Sequence, residues 1–417
     1  MKKYYLKCTN CGYVTENFAD WFQADQECVK CKSKHSEIWY NSDYSQLNTL
    51  LSKKPENFWH YFDFLPLMNQ ENIISCKEGA IPMEKWDFLV NYAQKKYGIA
   101  CDVFVYRNDL NGGTNTFKDV AASLAASIFK EQGIKKYAIA STGNTATAYS
   151  KYLALAGVTL SVFVPYCVSQ DSVNEMLSYN QDVRVVNGDY AFAKKVAAEF
   201  HLQHNVLIST GNIDPIRVEA KKTMVFEFLR QLGKIPNLYI QAVSGGTGPI
   251  AIDKGVREIE HLEPKVKLPR MILVQQDTCD PMVQGWEKAT KENFPNGWEN
   301  NYPVIDNPQT SISILSTGNP GMFPVVAPIV KKSQGGFVRV LESDVLDLAI
   351  KIYKEKNIVL GPASIVCLLG FYKALEKSCI KNGETVLINI GEGAARSHRF
   401  DLMVTQQMNP IKNMKTF

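Results

Sequence analysis

The apolar positions of this chain change period repeatedly. From Asp102-Val103-Phe104-Val105-Tyr106 onward, short apolar runs alternate with segments whose apolar residues recur every three or four positions. The short runs read as strands: Tyr137-Ala138-Ile139-Ala140, Leu160-Ser161-Val162-Phe163-Val164-Pro165, Val183-Arg184-Val185-Val186, Asn205-Val206-Leu207-Ile208, Leu238-Tyr239-Ile240-Gln241-Ala242-Val243 and Arg270-Met271-Ile272-Leu273-Val274. The periodic segments predict helices over 171–179, 189–201, 345–355 and 363–375. Strand–helix–strand alternation of this kind predicts an α/β protein with parallel sheets.

The same pattern divides the chain. Residues 136–235 form a compact set of strands and helices, expected as a smaller α/β domain. They interrupt a larger domain built from 41–135 and 236–417, with Pro236 marking the return. Residues 41–75 are aromatic and irregular (Phe58, Trp59, Tyr61, Phe62, Phe64, Pro66) and predict an arm wrapping the main body. Residues 277–335 are rich in Asn, Pro and Gly, carry Trp286 and Trp298, and predict loops at a cleft or a dimer contact. No internal repeat or low-complexity tract is visible.

Length agrees with this division, since 417 residues are enough for two or three domains. The apolar share of 45% and charged share of 21% are ordinary for a globular protein. The net charge of +4 is spread along the chain, without the dense basic run of a nucleic-acid or polybasic membrane surface. No apolar stretch approaches the ~18 residues of a membrane span. The start, Met1-Lys2-Lys3-Tyr4-Tyr5-Leu6-Lys7-Cys8, lacks the apolar core of a signal peptide, so a reducing cytoplasm is expected.

Four of the ten cysteines are paired by spacing. Cys8-Thr9-Asn10-Cys11 and Cys28-Val29-Lys30-Cys31 are separated by sixteen residues. This predicts a zinc ribbon over residues 1–40, with four thiolates closing a tetrahedron and leaving no open position for catalysis. The plainer alternative is a metal-free hairpin with reduced thiols. Cys76, Cys101, Cys167, Cys279, Cys367 and Cys379 have no such spacing and are expected as buried thiols. Docking of the ribbon on nucleic acid is disfavoured, because it holds few Arg or Lys and its aromatics Phe18, Trp21 and Phe22 suit packing on the main body.

Three loops carry the candidate chemistry. In Asn111-Gly112-Gly113-Thr114-Asn115-Thr116-Phe117-Lys118-Asp119, a polar turn delivers one lysine to the start of an Ala-rich helix. A lysine there can be solvated, pair with a phosphate, or form a Schiff base. Ser141-Thr142-Gly143-Asn144-Thr145 follows a strand and opens another small-residue helix. Ser244-Gly245-Gly246-Thr247-Gly248 also follows a strand, and its successive backbone N–H groups suit a phosphate. It lacks the Gly-Lys-Ser/Thr ending of a P-loop.

In this order and spacing the three loops resemble the pyridoxal-phosphate enzymes of the tryptophan-synthase β-subunit fold. Within them the chain is most similar to the threonine synthase family and, in detail, to its cysteate synthase branch, which acts on phosphoserine. The resemblance spans residues 60–400. It implies two parallel-sheet domains with the cofactor between them, and an N-terminal cysteine-bearing segment agrees with it. It also implies that Lys118 anchors pyridoxal 5'-phosphate as a Schiff base and acts as general base. Asn144 would then bond the 3' oxygen of the ring. Ser141, Thr142 and Thr145 would face the substrate carboxylate, and the Ser244, Gly245, Gly246, Thr247 and Gly248 loop would hold the cofactor phosphate.

One departure stands out. The family places a Ser or Thr against the ring nitrogen near the C-terminus. Here Thr385-Val386-Leu387-Ile388-Asn389-Ile390 runs into Gly391-Glu392-Gly393, leaving Asn389 or Glu392 for that place, or Glu392 in solvent. A carboxylate there would favour a protonated ring. For a phosphorylated substrate the candidate cations are Arg107, Arg217, Lys221, Lys222, Arg396 and Arg399. Ser209-Thr210-Gly211-Asn212 and Ser316-Thr317-Gly318-Asn319 repeat the letters of the Asn144 loop, but Pro215 and Pro320 follow and predict turns.

The expected activity is that of a transferase or lyase making a β-replacement on a phosphorylated amino acid, with phosphoserine and sulfite giving cysteate and phosphate. Threonine formation from homoserine phosphate, or another β-elimination or replacement, is the alternative. The partner is a small amino acid, with no nucleic acid or membrane involved, and a homo-oligomer is expected. A non-catalytic member of the fold is disfavoured by the intact Thr116-Phe117-Lys118-Asp119 turn.

Overall fold

A computed structural model describes residues 3–408; Met1, Lys2 and the end of the 236–417 span lie outside the described residues. Strands β1 (Tyr4–Cys8), β2 (Val14–Thr15) and β3 (Ser36–Tyr40) form a small antiparallel sheet in the order β2-β1-β3. Next come β4 (Met83–Lys85) and β5 (Asp102–Arg107), then β6 (Lys136–Ala140), β7 (Thr159–Pro165), β8 (Asp182–Val186) and β9 (Leu207–Ile208). The last four are β10 (Leu238–Ala242), β11 (Arg270–Gln276), β12 (Gly336–Val340) and β13 (Thr385–Ile390).

Strands β6 to β9 make one fully parallel sheet, β8-β7-β6-β9. The second sheet, β12-β11-β10-β13-β5-β4, is parallel except for its antiparallel edge strand β4. Apolar clusters cover both faces of the larger sheet, the arrangement parallel strands require. The predicted fold class, two parallel-sheet units, is what the chain adopts.

The strands of the smaller sheet all lie within 136–235, but packing follows a different line. The helix Asp119–Glu131 shares one apolar cluster with β6, β7 and the helix Asn144–Leu155. It therefore belongs by contact to the smaller sheet, although it precedes residue 136. The arm expected at 41–75 is present: Phe58, Trp59, Tyr61 and Phe64 are buried, Trp59 Nε1 donates to Ser123 Oγ (3.0 Å) and the Tyr61 hydroxyl to Glu227 (2.6 Å).

Three expectations need correction. Asn205 is not strand: at φ 50° it ends the helix Tyr190–His204 in the left-handed conformation Asn tolerates, so β9 starts later. Pro215 does not end regular structure but begins it, at the first turn of the helix Pro215–Leu232, where no N–H is needed. Residues 277–335 are not all loop. They contain the helices Pro281–Lys291 and Phe323–Lys332, and Trp286 and Trp298 join Phe294, Phe323 and Phe337 in an aromatic cluster.

Of the unpaired cysteines, Cys101, Cys279 and Cys367 are buried, Cys76 and Cys379 are half-buried, and Cys167 is exposed. Among the described residues no helix is long and apolar enough to cross a membrane.

Candidate active site

Four loops that leave the C-terminal ends of parallel strands converge on one cavity between the sheets, the position where open α/β sheets bind ligands. Three of them follow β5, β13 and β10, neighbours at the centre of the larger sheet. The fourth follows β6. The cavity encloses about 1120 Å³, counting its open mouth.

The turn after β5 is built to place Lys118. The Asp119 carboxylate accepts from the Thr114 N–H (2.9 Å), the Thr114 hydroxyl (2.7 Å) and the Thr116 N–H (2.8 Å). Burial pushes its pKa up to about 7 against those bonds. Gly113 lies at φ +95°, and a Cβ there would stand 2.4 Å from the Tyr152 hydroxyl, so only glycine fits. Phe117 N–H donates to Gly391 O (2.9 Å), tying this turn to the one after β13. Lys118 sits at the start of its helix and lines the cavity. Burial lowers its pKa to about 8, with Glu392 opposing, which leaves the amine partly neutral near physiological pH.

After β6, Gly143 adopts φ 142° and ψ −99°, a glycine conformation, and the helix Asn144–Leu155 starts beyond it. The Ser141 hydroxyl caps that helix, accepting from the Gly143 and Ala146 N–H groups at 3.2 Å each. Asn144 Nδ2 donates to Glu392 Oε2 (2.5 Å). Ser141, Thr142, Asn144 and Thr145 all line the cavity.

After β10, Ser244–Gly246 leads into the helix Thr247–Ile259, and Gly246 is left-handed at φ +90°. The loop has no room for side chains. A Cβ on Gly245 would stand 1.9 Å from Asn212 Nδ2, one on Gly246 2.6 Å from Val326, and one on Gly248 2.2 Å from Gln241 Oε1. The backbone is thus bared to the cavity, where the first N–H groups of the helix have no partner within it. Thr247 Oγ1 donates to Asn212 Oδ1 (2.6 Å), and the Ser244 and Thr317 hydroxyls are hydrogen-bonded. The repeated Ser-Thr-Gly-Asn segments therefore flank this loop, through Asn212 and Thr317. The repetition, expected to be coincidence because prolines follow it, marks two residues of the cavity wall.

Past β13, Glu392 is 1% exposed and turned inward, not toward solvent. Besides Asn144, it accepts from the Ala363 N–H (3.0 Å), and burial raises its pKa. Asn389 is oriented by a row of amides. The Gly79 N–H donates to Asn111 Oδ1 (2.8 Å), Asn111 Nδ2 to Asn108 Oδ1 (3.0 Å), and Asn108 Nδ2 to Asn389 Oδ1 (2.5 Å). A backbone donor at one end fixes every amide along the row. Among the described residues Asn389 Nδ2 has no partner and is left as a buried donor at the cavity wall.

The candidate cations separate sharply. Arg217 and Lys221 line the cavity. Arg107 does not: its guanidinium is held by Asp109 (2.8 and 2.7 Å) and Glu84 (2.8 and 2.9 Å), outside the cavity lining. Lys222 is bonded to Glu219 (2.5 Å) and Glu258 (2.7 Å) in a buried cluster with Lys254, and Arg396 pairs with Glu175 (2.5 Å). Arg399 is exposed. Arg217 is anchored by Ser209 (2.6 Å) and the Tyr149 hydroxyl (3.2 Å), with Asp214 at 3.7 Å. Tyr149, Tyr190, Gln241 and Ile314 complete the wall and carried no sequence signal.

The family of pyridoxal-phosphate dependent enzymes matches residues 77–391, the span that holds the loops after β5, β6 and β10 and ends at the start of the loop after β13. The chain belongs to that family. It is 26% identical over 415 residues to the threonine synthase of Methanocaldococcus jannaschii, covering 93% of this chain and 98% of the relative. It is 28% identical over 389 residues to that of Methanosarcina acetivorans, covering 92% and 90%. Its fold is similar to that of diaminopropionate ammonia lyase from Escherichia coli, with a TM-score of 0.61 at 15% identity over 87% of this chain and 92% of that one. The cavity suits the family's cofactor: a bare glycine cradle for its phosphate, a buried lysine amine, and an unsatisfied donor at the wall.

At one end of the β2-β1-β3 sheet, Cys8 of β1 and the turn residues Cys11, Cys28 and Cys31 bring their sulfurs within 4.8 Å of one another, with Cys8–Cys31 and Cys11–Cys28 at 3.6 Å. Four thiolates about 2.3 Å from one zinc ion would stand at such separations.

Proposed function

We propose that this enzyme holds pyridoxal phosphate at Lys118 and replaces the β-substituent of a phosphorylated amino acid, phosphoserine with sulfite giving cysteate and phosphate. The observation that carries the phosphorylated substrate is Arg217, a guanidinium 6% exposed in the wall of the cavity that Lys118 also lines. A planar, always-charged fork there suits a phosphate.

When bound, pyridoxal phosphate supplies the electron sink that stabilises negative charge at the substrate α-carbon. The chain's own residues do the rest. The Ser244–Gly248 backbone N–H groups would hold the cofactor phosphate, and the Thr247 hydroxyl would join them by giving up its bond to Asn212. The start of the helix Asn144–Leu155, with Thr142 and Thr145, receives the substrate carboxylate. Asn144, oriented by Glu392, would hold the ring's 3' oxygen. Asn389 Nδ2 would offer the ring nitrogen a donor, which would favour an unprotonated ring. The Lys118 amine, its pKa lowered toward neutrality, takes the α-proton as general base. Arg217 holds the phosphate as it leaves. Burial of Tyr149, Arg217 and Glu392 around the reacting atoms limits access of water.

Threonine formation from homoserine phosphate is the second reading, favoured by the relatives named threonine synthase. Both readings share Lys118, the cradle and Arg217. Mass spectrometry of products from each phosphorylated substrate, with and without sulfite, separates them. Cysteate from phosphoserine and sulfite is the expected result, and faster threonine formation from homoserine phosphate would overturn it. The four ribbon cysteines are proposed as a structural zinc site.

A further inference from the structure

Lys221 lies one helical turn beyond Arg217 on the helix Pro215–Leu232 and lines the same cavity. Its side chain is 3% exposed. Among the described residues its ammonium has no ion pair and no hydrogen bond, and it lies over the Phe117 ring, 4.8 Å from the centroid. Its surroundings are cationic. Lys118 and Arg217 repel it, and Asp214, the carboxylate that attracts it, is already shared with Arg217. Lys222, the next residue, points the other way and is neutralised by Glu219 and Glu258. Burial, then Lys118 and Arg217, push the Lys221 pKa well down.

The charged form of Lys221 is therefore disfavoured in the empty cavity, and an anion that comes to meet it restores that form. The other anions already have receivers. The cofactor phosphate has the backbone cradle, the amino-acid carboxylate has the start of the helix Asn144–Leu155, and the amino-acid phosphate has Arg217. Lys221 is left over. Water as the second reactant would give it no counter-charge.

We infer that Lys221 docks a second, separate anion, the incoming nucleophile, and that this nucleophile is a small oxyanion of the sulfite class. The inference rests on the β-replacement reading above. The exchange balances without an oxidant. The sulfur lone pair of hydrogen sulfite forms the C–S bond at the β-carbon. The C–O bond to phosphate breaks, phosphate leaves with that electron pair, and it takes up the hydrogen sulfite proton. The α-proton removed by Lys118 returns to the α-carbon.

The test uses holoenzyme saturated with 2-amino-4-phosphonobutyrate, which fills the amino-acid and phosphate positions but has no phosphate to release. Sulfate is titrated calorimetrically as an unreactive probe. Wild type should bind one sulfate per chain, and Lys221→Gln should weaken it about tenfold or more, the loss of one contact to a charged group. Lys221→Arg should restore most of the affinity. In turnover, Lys221→Gln should raise the half-saturating sulfite concentration far more than that of phosphoserine. Equal sulfate affinity in wild type and Lys221→Gln overturns the inference. So does loss of cofactor absorbance from Lys221→Gln at cofactor concentrations that saturate wild type, which would assign Lys221 to the cofactor phosphate. Sulfate binding that depends on Lys221, with no cysteate from phosphoserine and sulfite, would instead refute the choice of amino acid and leave the anion site standing.

Discussion

At the residue scale, reactivity comes from removing water around a few charges. Burial lowers the Lys118 pKa to about 8, so its neutral, nucleophilic fraction grows as pH rises through that value. Capture of pyridoxal phosphate by cofactor-free protein, followed by absorbance, should therefore accelerate with pH and level off above about 8. An inflection near the ordinary lysine value would contradict this. Lys118→Ala should lose the visible band of the bound cofactor and slow turnover by about a thousandfold or more. Asn389→Asp replaces a donor with a carboxylate and should raise the ring nitrogen's proton affinity, read from the nitrogen-15 shift of labelled cofactor; an unmoved shift would remove Asn389 from that role. Lys118, Asn144 and Thr247 stood out in the sequence because each stands at a helix start after a glycine-bearing turn, and the fold places all three on one cavity. Arg107 misled because its partner Asp109 lies two residues away and Glu84 on the adjoining strand, and only the fold shows both carboxylates closing on it.

At the element scale, the site is a set of helix starts pinned at the ends of parallel strands. The cradle is the strictest of them, since Gln241 packs where a Gly248 side chain would go. Gly248→Ala should weaken cofactor binding by tenfold or more while the protein stays folded, checked by equilibrium dialysis beside circular dichroism; the estimate assumes loss of about one charge-assisted hydrogen bond. Unchanged affinity would mean the phosphate sits elsewhere. The helices themselves were readable from their period: those expected over 345–355 and 363–375 appear as Val345–Lys356 and Pro362–Glu376. What the pattern obscured was proline, which starts the helix Pro215–Leu232, and the aromatic packing that organises the segment after residue 277.

At the scale of the whole molecule, the N-terminal cysteine-bearing segment is joined to the body of the chain by one buried hydrogen bond and one half-buried ion pair. The Tyr40 hydroxyl donates to Glu219 (2.6 Å), and Arg257 pairs with Glu37 (2.5 Å). Glu219 lies on the helix that carries Arg217 and Lys221, and Arg257 on the helix that begins at the cradle. Purified protein should hold about one zinc ion per chain, and stripping it should lower the unfolding temperature, because an ion bound only by the folded chain stabilises it. Full-length protein prepared without chelator and free of zinc would refute the site. The four cysteines were legible from spacing alone, but the docking of their segment on the helices Pro215–Leu232 and Thr247–Ile259 was not, since Tyr40 and Glu219 are 179 positions apart. The claim that joins all three scales is that the cleft between the sheets holds pyridoxal phosphate through Lys118. Reducing the holoenzyme with borohydride and mapping the modified peptide by mass spectrometry tests it most directly. The cofactor should be found on Lys118; its attachment to Lys221 or any other lysine, or to none, would contradict the account.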